Sequence, residues 1–100
     1  MKLKSGVKIT GVQPELLLGL FIADGISQRE FGRELTITSL LDGNHSQGSK
    51  HYLGQGADFR TYDMALGSAP ALVKRLKEVV DSWYDIVLES DHIHFEYDPH

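Results

Sequence analysis

The spacing of apolar residues along the chain predicts two helices. Residues 14–24 open with a proline and a glutamate, which suit the first turn of a helix, and they are apolar on nearly every side. We therefore expect a helix that is buried on most sides and ends at Gly25. Residues 69–83 repeat apolar positions at helical spacing with lysines and acids opposite, which predicts an amphipathic helix capped by Ser68.

Two stretches before the second helix alternate with a period of two residues, which is typical of strands. Residues 34–41 are rich in β-branched side chains, and residues 56–61 set apolar positions against Asp58 and Arg60. These two polar side chains should therefore share one face of the sheet. Between the strands, residues 42–50 consist largely of turn-forming residues and predict a surface loop.

The end of the chain predicts a β-hairpin. Residues 84–89 and 92–97 both have strand-like composition and are separated by only two residues. In the second strand the polar positions, which include His92 and His94, alternate with apolar ones, so both imidazoles face away from the core. A two-residue loop would place Glu89 directly across from His92.

Together these elements predict an α+β fold, in which helices cover one face of an antiparallel sheet and the functional site occupies the other. One hundred residues, 41% of them hydrophobic, fit a single domain spanning residues 1–100. A net charge of −4 argues against nucleic acid as a partner. The densest apolar stretch, residues 16–23, is too short to span a membrane, and the N-terminus has no apolar run typical of an export signal.

Two segments bring together residues that bind metals. The chain contains no cysteine, so a metal site must draw on His, Asp and Glu. Residues 49–58 and residues 89–94 together supply imidazoles, a carboxylate and a spare acid. Two nitrogen ligands and one oxygen ligand leave the fourth tetrahedral position for water, which is typical of a catalytic zinc site.

These segments resemble the zinc motifs of the LAS metallopeptidases, the superfamily named for lysostaphin, D-alanyl-D-alanine carboxypeptidase and Sonic hedgehog. The branch of the carboxypeptidases and phage endolysins carries Ser-x-His-x-x-Gly-x-Ala-x-Asp. The residues that match it here are Ser49, His51, Gly54 and Asp58, with Ala57 next to the alanine position. The second family motif, His-x-His after an acid, is matched by Glu89, His92 and His94.

The resemblance implies a hedgehog-like or D-Ala-D-Ala peptidase-like fold with one zinc ion per chain, bound by His51, Asp58 and His94. It also implies an acid near the last ligand that accepts a proton from the zinc-activated water. The hairpin geometry favours Glu89 for this role, whereas a spacing of three residues before His94 favours Asp91. We predict Glu89 as the general base.

Further polar residues are candidates for contacts with the substrate. His92 could donate a hydrogen bond or supply positive charge where the oxyanion develops. Ser49, which occupies a motif position, could hold a substrate carboxylate. Arg60 or Arg33 could do the same, because a guanidinium matches carboxylate geometry.

The resemblance therefore predicts a zinc peptidase that hydrolyses peptide bonds in peptidoglycan stem peptides, either as a carboxypeptidase or as an endopeptidase. The chain would be a hydrolase of phage or bacterial origin that stays in the cytoplasm until it is released, or is phage-associated. The alternative is a zinc-containing binding module without hydrolysis, as in the hedgehog branch. The acids Glu89 and Asp91 favour the enzyme, because a structural site needs no general base.

Overall fold

The computed structural model describes residues 1–40, 54–80 and 82–99, in which two helices pack against a five-stranded sheet. The α+β class predicted from the sequence is confirmed. The elements in chain order are β1 (Lys2–Leu3), α1 (Pro14–Phe31), β2 (Thr36–Ser39), β3 (Gly56–Arg60), α2 (Ser68–Val79), β4 (Tyr84–Leu88) and β5 (His92–Tyr97). The loop predicted for residues 42–50 lies outside the described residues.

The sheet is mixed, so the prediction of an antiparallel sheet is wrong at one edge. Its strand order is β1-β2-β3-β5-β4, and β1 runs parallel to β2 while every other neighbouring pair is antiparallel. Strand β1 consists of two residues, Lys2 and Leu3, paired with Thr36 and Ile37. A strand of two residues is too short to leave a periodic signal in the sequence.

One face of the sheet forms the core with the two helices. The strands contribute alternate residues, which is why the opposite face is left to polar side chains. The buried apolar side chains of the strands are those of Ile37, Ala57, Phe59, Ile86, Ile93 and Phe95. The buried apolar residues of the helices are Leu16, Leu20, Ala23, Ile26, Leu72, Val73 and Leu76. Burying each large apolar side chain contributes roughly 1.5–3 kcal/mol before the entropy of ordering it is counted.

Helix α1 differs from its prediction in length and in burial. It continues past Gly25 to Phe31 and ends at Gly32, whose φ of 67° is left-handed. An internal glycine destabilises a helix by only about 1 kcal/mol relative to alanine. The burial of Ile26, one residue after Gly25, offsets this loss. The helix also buries one side only, because Leu18 and Phe21 are 60% and 57% exposed.

The later elements follow their predictions more closely. The hairpin pairs β4 with β5 as expected, and the N–H of Glu89 donates to the carbonyl of His92 at 2.8 Å, closing the two-residue loop. Helix α2 ends at Val79, before the predicted residue 83, because Val80 is already extended. The residue before α2, Gly67, serves as its N-cap in place of the predicted Ser68.

Candidate metal centre and the cleft beside it

The polar residues singled out in the sequence gather on the sheet face opposite the helices. Strands β3 and β5 are antiparallel, with Asp58 opposite His94 and Arg60 opposite His92. Directly opposed residues of antiparallel strands point to the same face. The prediction that Asp58 and Arg60 share a face is therefore confirmed. The two histidines lie on the same face.

His94 is enclosed by two carboxylates. Its Nδ1 lies 3.0 Å from Oδ1 of Asp58, and its Nε2 lies 2.9 Å from Oε1 of Glu96. The three side chains are largely shielded, with exposed fractions of 19% for His94 and 17% for each acid. The hydrogen bond with Asp58 raises the pKa of His94 to about 9, the bond with Glu96 adds to the increase, and burial opposes it.

His92 lies beside this cluster, between two acids. Its Nδ1 is 2.7 Å from Oδ1 of Asp91, and its Nε2 is 3.7 Å from the same Asp58 oxygen that His94 contacts. The backbone of Asp91 is fixed as well, because its carbonyl accepts a hydrogen bond from the N–H of Thr61 at 3.1 Å. The hairpin turn is thus held against the end of β3.

A cleft of about 290 Å³ opens next to His92. It is lined by Lys4, Thr38, Asp58, Arg60, Tyr62, Asp91 and His92. The guanidinium of Arg60 lies 5.2 Å from the centre of the Tyr62 ring, and its buried Nε has no hydrogen-bond partner among the described residues. The cleft therefore combines two cationic side chains with two carboxylates.

Lys4 is a cleft residue that the sequence did not indicate. Its backbone N–H donates to the carbonyl of Ile37 at 2.8 Å, which continues the pairing of β1 with β2 and brings the lysine to the cleft. Because β1 itself left no periodic signal, the position of Lys4 could not be predicted.

The structure separates the two candidates for the general base. Asp91 lines the cleft and is 74% exposed. Glu89 is also exposed and lies across from His92, as predicted, but it does not line the cleft. Arg33 is removed from this region, because it forms an ion pair with Asp63 at 2.5 Å and borders a different pocket.

The first family motif falls only partly within the described residues. His51 and Ser49 lie outside them. Gly54 has a φ of 73°, and a Cβ there would collide with the carbonyl oxygen of Gly11, so the position requires glycine. Ala57 is fully buried and opposite Phe95, so its side chain faces the core and not the polar face.

The described residues include two side chains of the types that bind zinc. Asp58 and His94 offer a carboxylate oxygen and an imidazole nitrogen that face each other from neighbouring strands, and Glu96 contacts the second nitrogen of the same ring. Within residues 1–40, 54–80 and 82–99, no three His, Asp or Glu side chains form a complete metal-binding group. His51, the third predicted ligand, lies beyond these ranges.

Comparisons with known proteins find no relative of this chain. No family model, no curated protein and no solved structure matches the chain. Neither described helix has the length and apolar character needed to cross a membrane. The motif residues and the geometry of the polar sheet face are therefore the features that point to a function.

Proposed function

We propose that the protein is a zinc-dependent peptidase of the LAS type that acts on peptides of the bacterial cell wall. The observation that supports this proposal is the contact between Asp58 and His94. They are 36 residues apart in the chain, yet their side chains meet at 3.0 Å on the polar sheet face. The motif resemblance implies that both residues are zinc ligands and that His51 is the third ligand.

When bound, zinc would lower the pKa of a water molecule and polarise the peptide carbonyl. Of the two acids predicted for this role, we propose Asp91 in place of Glu89 as the group that accepts the proton, because Asp91 lines the cleft and Glu89 does not. His92 is oriented by Asp91 through Nδ1, which directs its Nε2 towards Asp58. In this position His92 would stabilise negative charge on the carbonyl oxygen of the substrate.

We further propose that Arg60 and Lys4 bind a carboxylate of the substrate. Both line the cleft, and within the part of the chain that the structure describes the buried Nε of Arg60 has no hydrogen-bond partner. A guanidinium and an ammonium in the same cleft suit a free α-carboxylate close to the bond that is cut. This arrangement favours a carboxypeptidase, which releases the last residue of a stem peptide, over an endopeptidase.

The test is mass spectrometry of muropeptides incubated with zinc-loaded protein, using a stem peptide with a free C-terminus and the same peptide amidated. We expect loss of the C-terminal residue from the free peptide, much slower cleavage of the amide, and no product with His51→Ala. Asp91→Asn should lower kcat by roughly 100-fold or more, while its neighbour variant Glu89→Gln stays within a few-fold of wild type.

Three results would count against the proposal or against a part of it. If the protein holds one zinc ion but cleaves neither peptide, the non-hydrolytic binding module becomes the better account. If Glu89→Gln abolishes activity and Asp91→Asn does not, the proton acceptor is Glu89. Equal cleavage of the free and amidated peptides would remove the carboxylate-binding role from Arg60 and Lys4.

A further inference from the structure

Glu96 contacts the candidate metal centre but belongs to neither family motif. It lies two residues after His94 on β5, and this spacing puts both side chains on the same sheet face. Its Oε1 is 2.9 Å from Nε2 of His94, while the other ring nitrogen, Nδ1, is the one that faces Asp58. The two nitrogens of the ring therefore have different partners.

This division matters because a neutral imidazole carries one proton. The nitrogen that donates its N–H to an acceptor is unavailable to a metal, and the other nitrogen keeps its lone pair. A carboxylate on the far nitrogen also holds the ring in one orientation and makes the ligand more basic.

We propose that Glu96 is a positioning residue that fixes the orientation and the tautomer of His94, so that Nδ1 is the nitrogen that binds the metal. The inference rests on the proposed zinc site. Because Glu96 accepts the Nε2–H, Nδ1 is left with its lone pair directed towards Asp58, the other ligand on this part of the sheet.

The surroundings of Glu96 explain why its carboxylate turns to His94. The residue opposite it on β3 is Gly56, which has no side chain that could compete as a partner. The residue opposite it on β4 is Asp85, which is itself an acid and offers no cation. Glu96 is also only 17% exposed, so its contact with His94 is shielded from solvent.

The experiment measures zinc affinity by competition with a chromophoric chelator. We expect Glu96→Ala to weaken zinc binding by roughly 10–100-fold, the range found when partners of metal-bound histidines are removed. Glu96→Gln should lose less zinc affinity than Glu96→Ala, because its amide oxygen can still accept the Nε2–H. The matched control is Asp85→Asn, an acid in the opposing position on β4, which should bind zinc like wild type.

A second readout separates positioning from a general effect on stability. In zinc-loaded wild type, long-range ¹H–¹⁵N spectra of the imidazoles should show His94 protonated at Nε2 and metal-bound at Nδ1. Glu96→Gln should keep this pattern, whereas Glu96→Ala should show a mixture of tautomers or a change of the bound nitrogen.

The possible failures are distinguishable. If His94→Ala binds zinc as tightly as wild type, the proposed zinc site is wrong and this inference is overturned with it. If His94→Ala loses zinc but Glu96→Ala keeps both the affinity and the tautomer, only the role of Glu96 is overturned. Zinc bound through Nε2 in wild type would also overturn it.

Discussion

Two carboxylates hold the imidazole of His94, one at each ring nitrogen. Without metal, this environment stabilises the imidazolium, and the pKa of His94 is raised to about 9 mainly by the hydrogen bond with Asp58. A proton and a metal ion compete for the same nitrogen lone pair. Acids that make the ring more basic therefore also make it a stronger ligand once the proton has left.

In metal-free protein we expect His94 to titrate near pH 9 instead of 6.5. Because the folded-state pKa is the higher one, the stabilisation, about 3 kcal/mol, is complete below pH 6.5 and is lost as pH rises through 9. An NMR titration in the presence of a chelator measures it. Asp58→Asn should lower the midpoint, because it removes the largest cause of the increase. A wild-type midpoint at or below 6.5 would contradict the placement of His94 between the carboxylates of Asp58 and Glu96.

The sequence indicated the faces of the site residues better than their contacts. Alternation along β3 and β5 was sufficient to put Asp58 and His94 on the polar face, because a strand has a period of two. It could not single out Asp91, since the turn is placed by the hydrogen bond from Thr61, which lies 30 residues earlier in the chain. The contact of Glu96 with His94 depends on a rotamer, which periodicity does not determine.

At the scale of elements, the hairpin that carries both histidines packs against α1. The side chains of Tyr84 on β4 and Phe95 on β5 pack against Gly19 of this helix, where a Cβ would collide with both rings. The hydroxyl of Tyr84 donates to the carbonyl of Glu15 at 2.6 Å. Gly19 therefore permits the close approach that fixes the hairpin on the helix.

Two glycines of α1 provide a matched test of this packing. Gly19→Ala should lower the free energy of unfolding by about 1–3 kcal/mol through overpacking, although alanine favours helix by about 1 kcal/mol. Gly25→Ala should leave stability unchanged or raise it by up to about 1 kcal/mol, because its Cβ would meet only the flexible end of Arg29. Urea unfolding of both variants measures the difference, and equal stabilities would show that the contact at Gly19 is not tight.

The elements that were predicted well are those whose signal is local. The hairpin was placed to within about one residue, because its alternation and its short turn are contiguous in the chain. The end of α1 was misplaced because Gly25 is a weak helix breaker whose effect is overridden by the burial of Ile26. The parallel pairing of β1 depends on contacts with β2 more than 30 residues away and left no local pattern.

At the scale of the whole molecule, core and candidate site occupy opposite faces of one sheet. The helices and the apolar strand residues form the core, while the polar face collects acids around the histidines. Acids gathered on one face of a chain with a net charge of −4 repel one another. A bound divalent cation would offset this repulsion, and the core would remain folded without it.

Zinc should therefore stabilise a protein that is already folded. At free zinc 100 times the dissociation constant, the gain is about 2.7 kcal/mol, which for a domain of this size corresponds to a rise in Tm of roughly 10–20 °C. Thermal unfolding followed by circular dichroism, with zinc, with magnesium and with a chelator, measures it. Magnesium should have little effect, because it prefers oxygen ligands in octahedral geometry. His94→Ala should fold without metal but lose the zinc-dependent rise, since its remaining ligands cannot hold the ion tightly. A wild-type Tm that is the same with zinc and with chelator would show that this face of the sheet does not bind zinc.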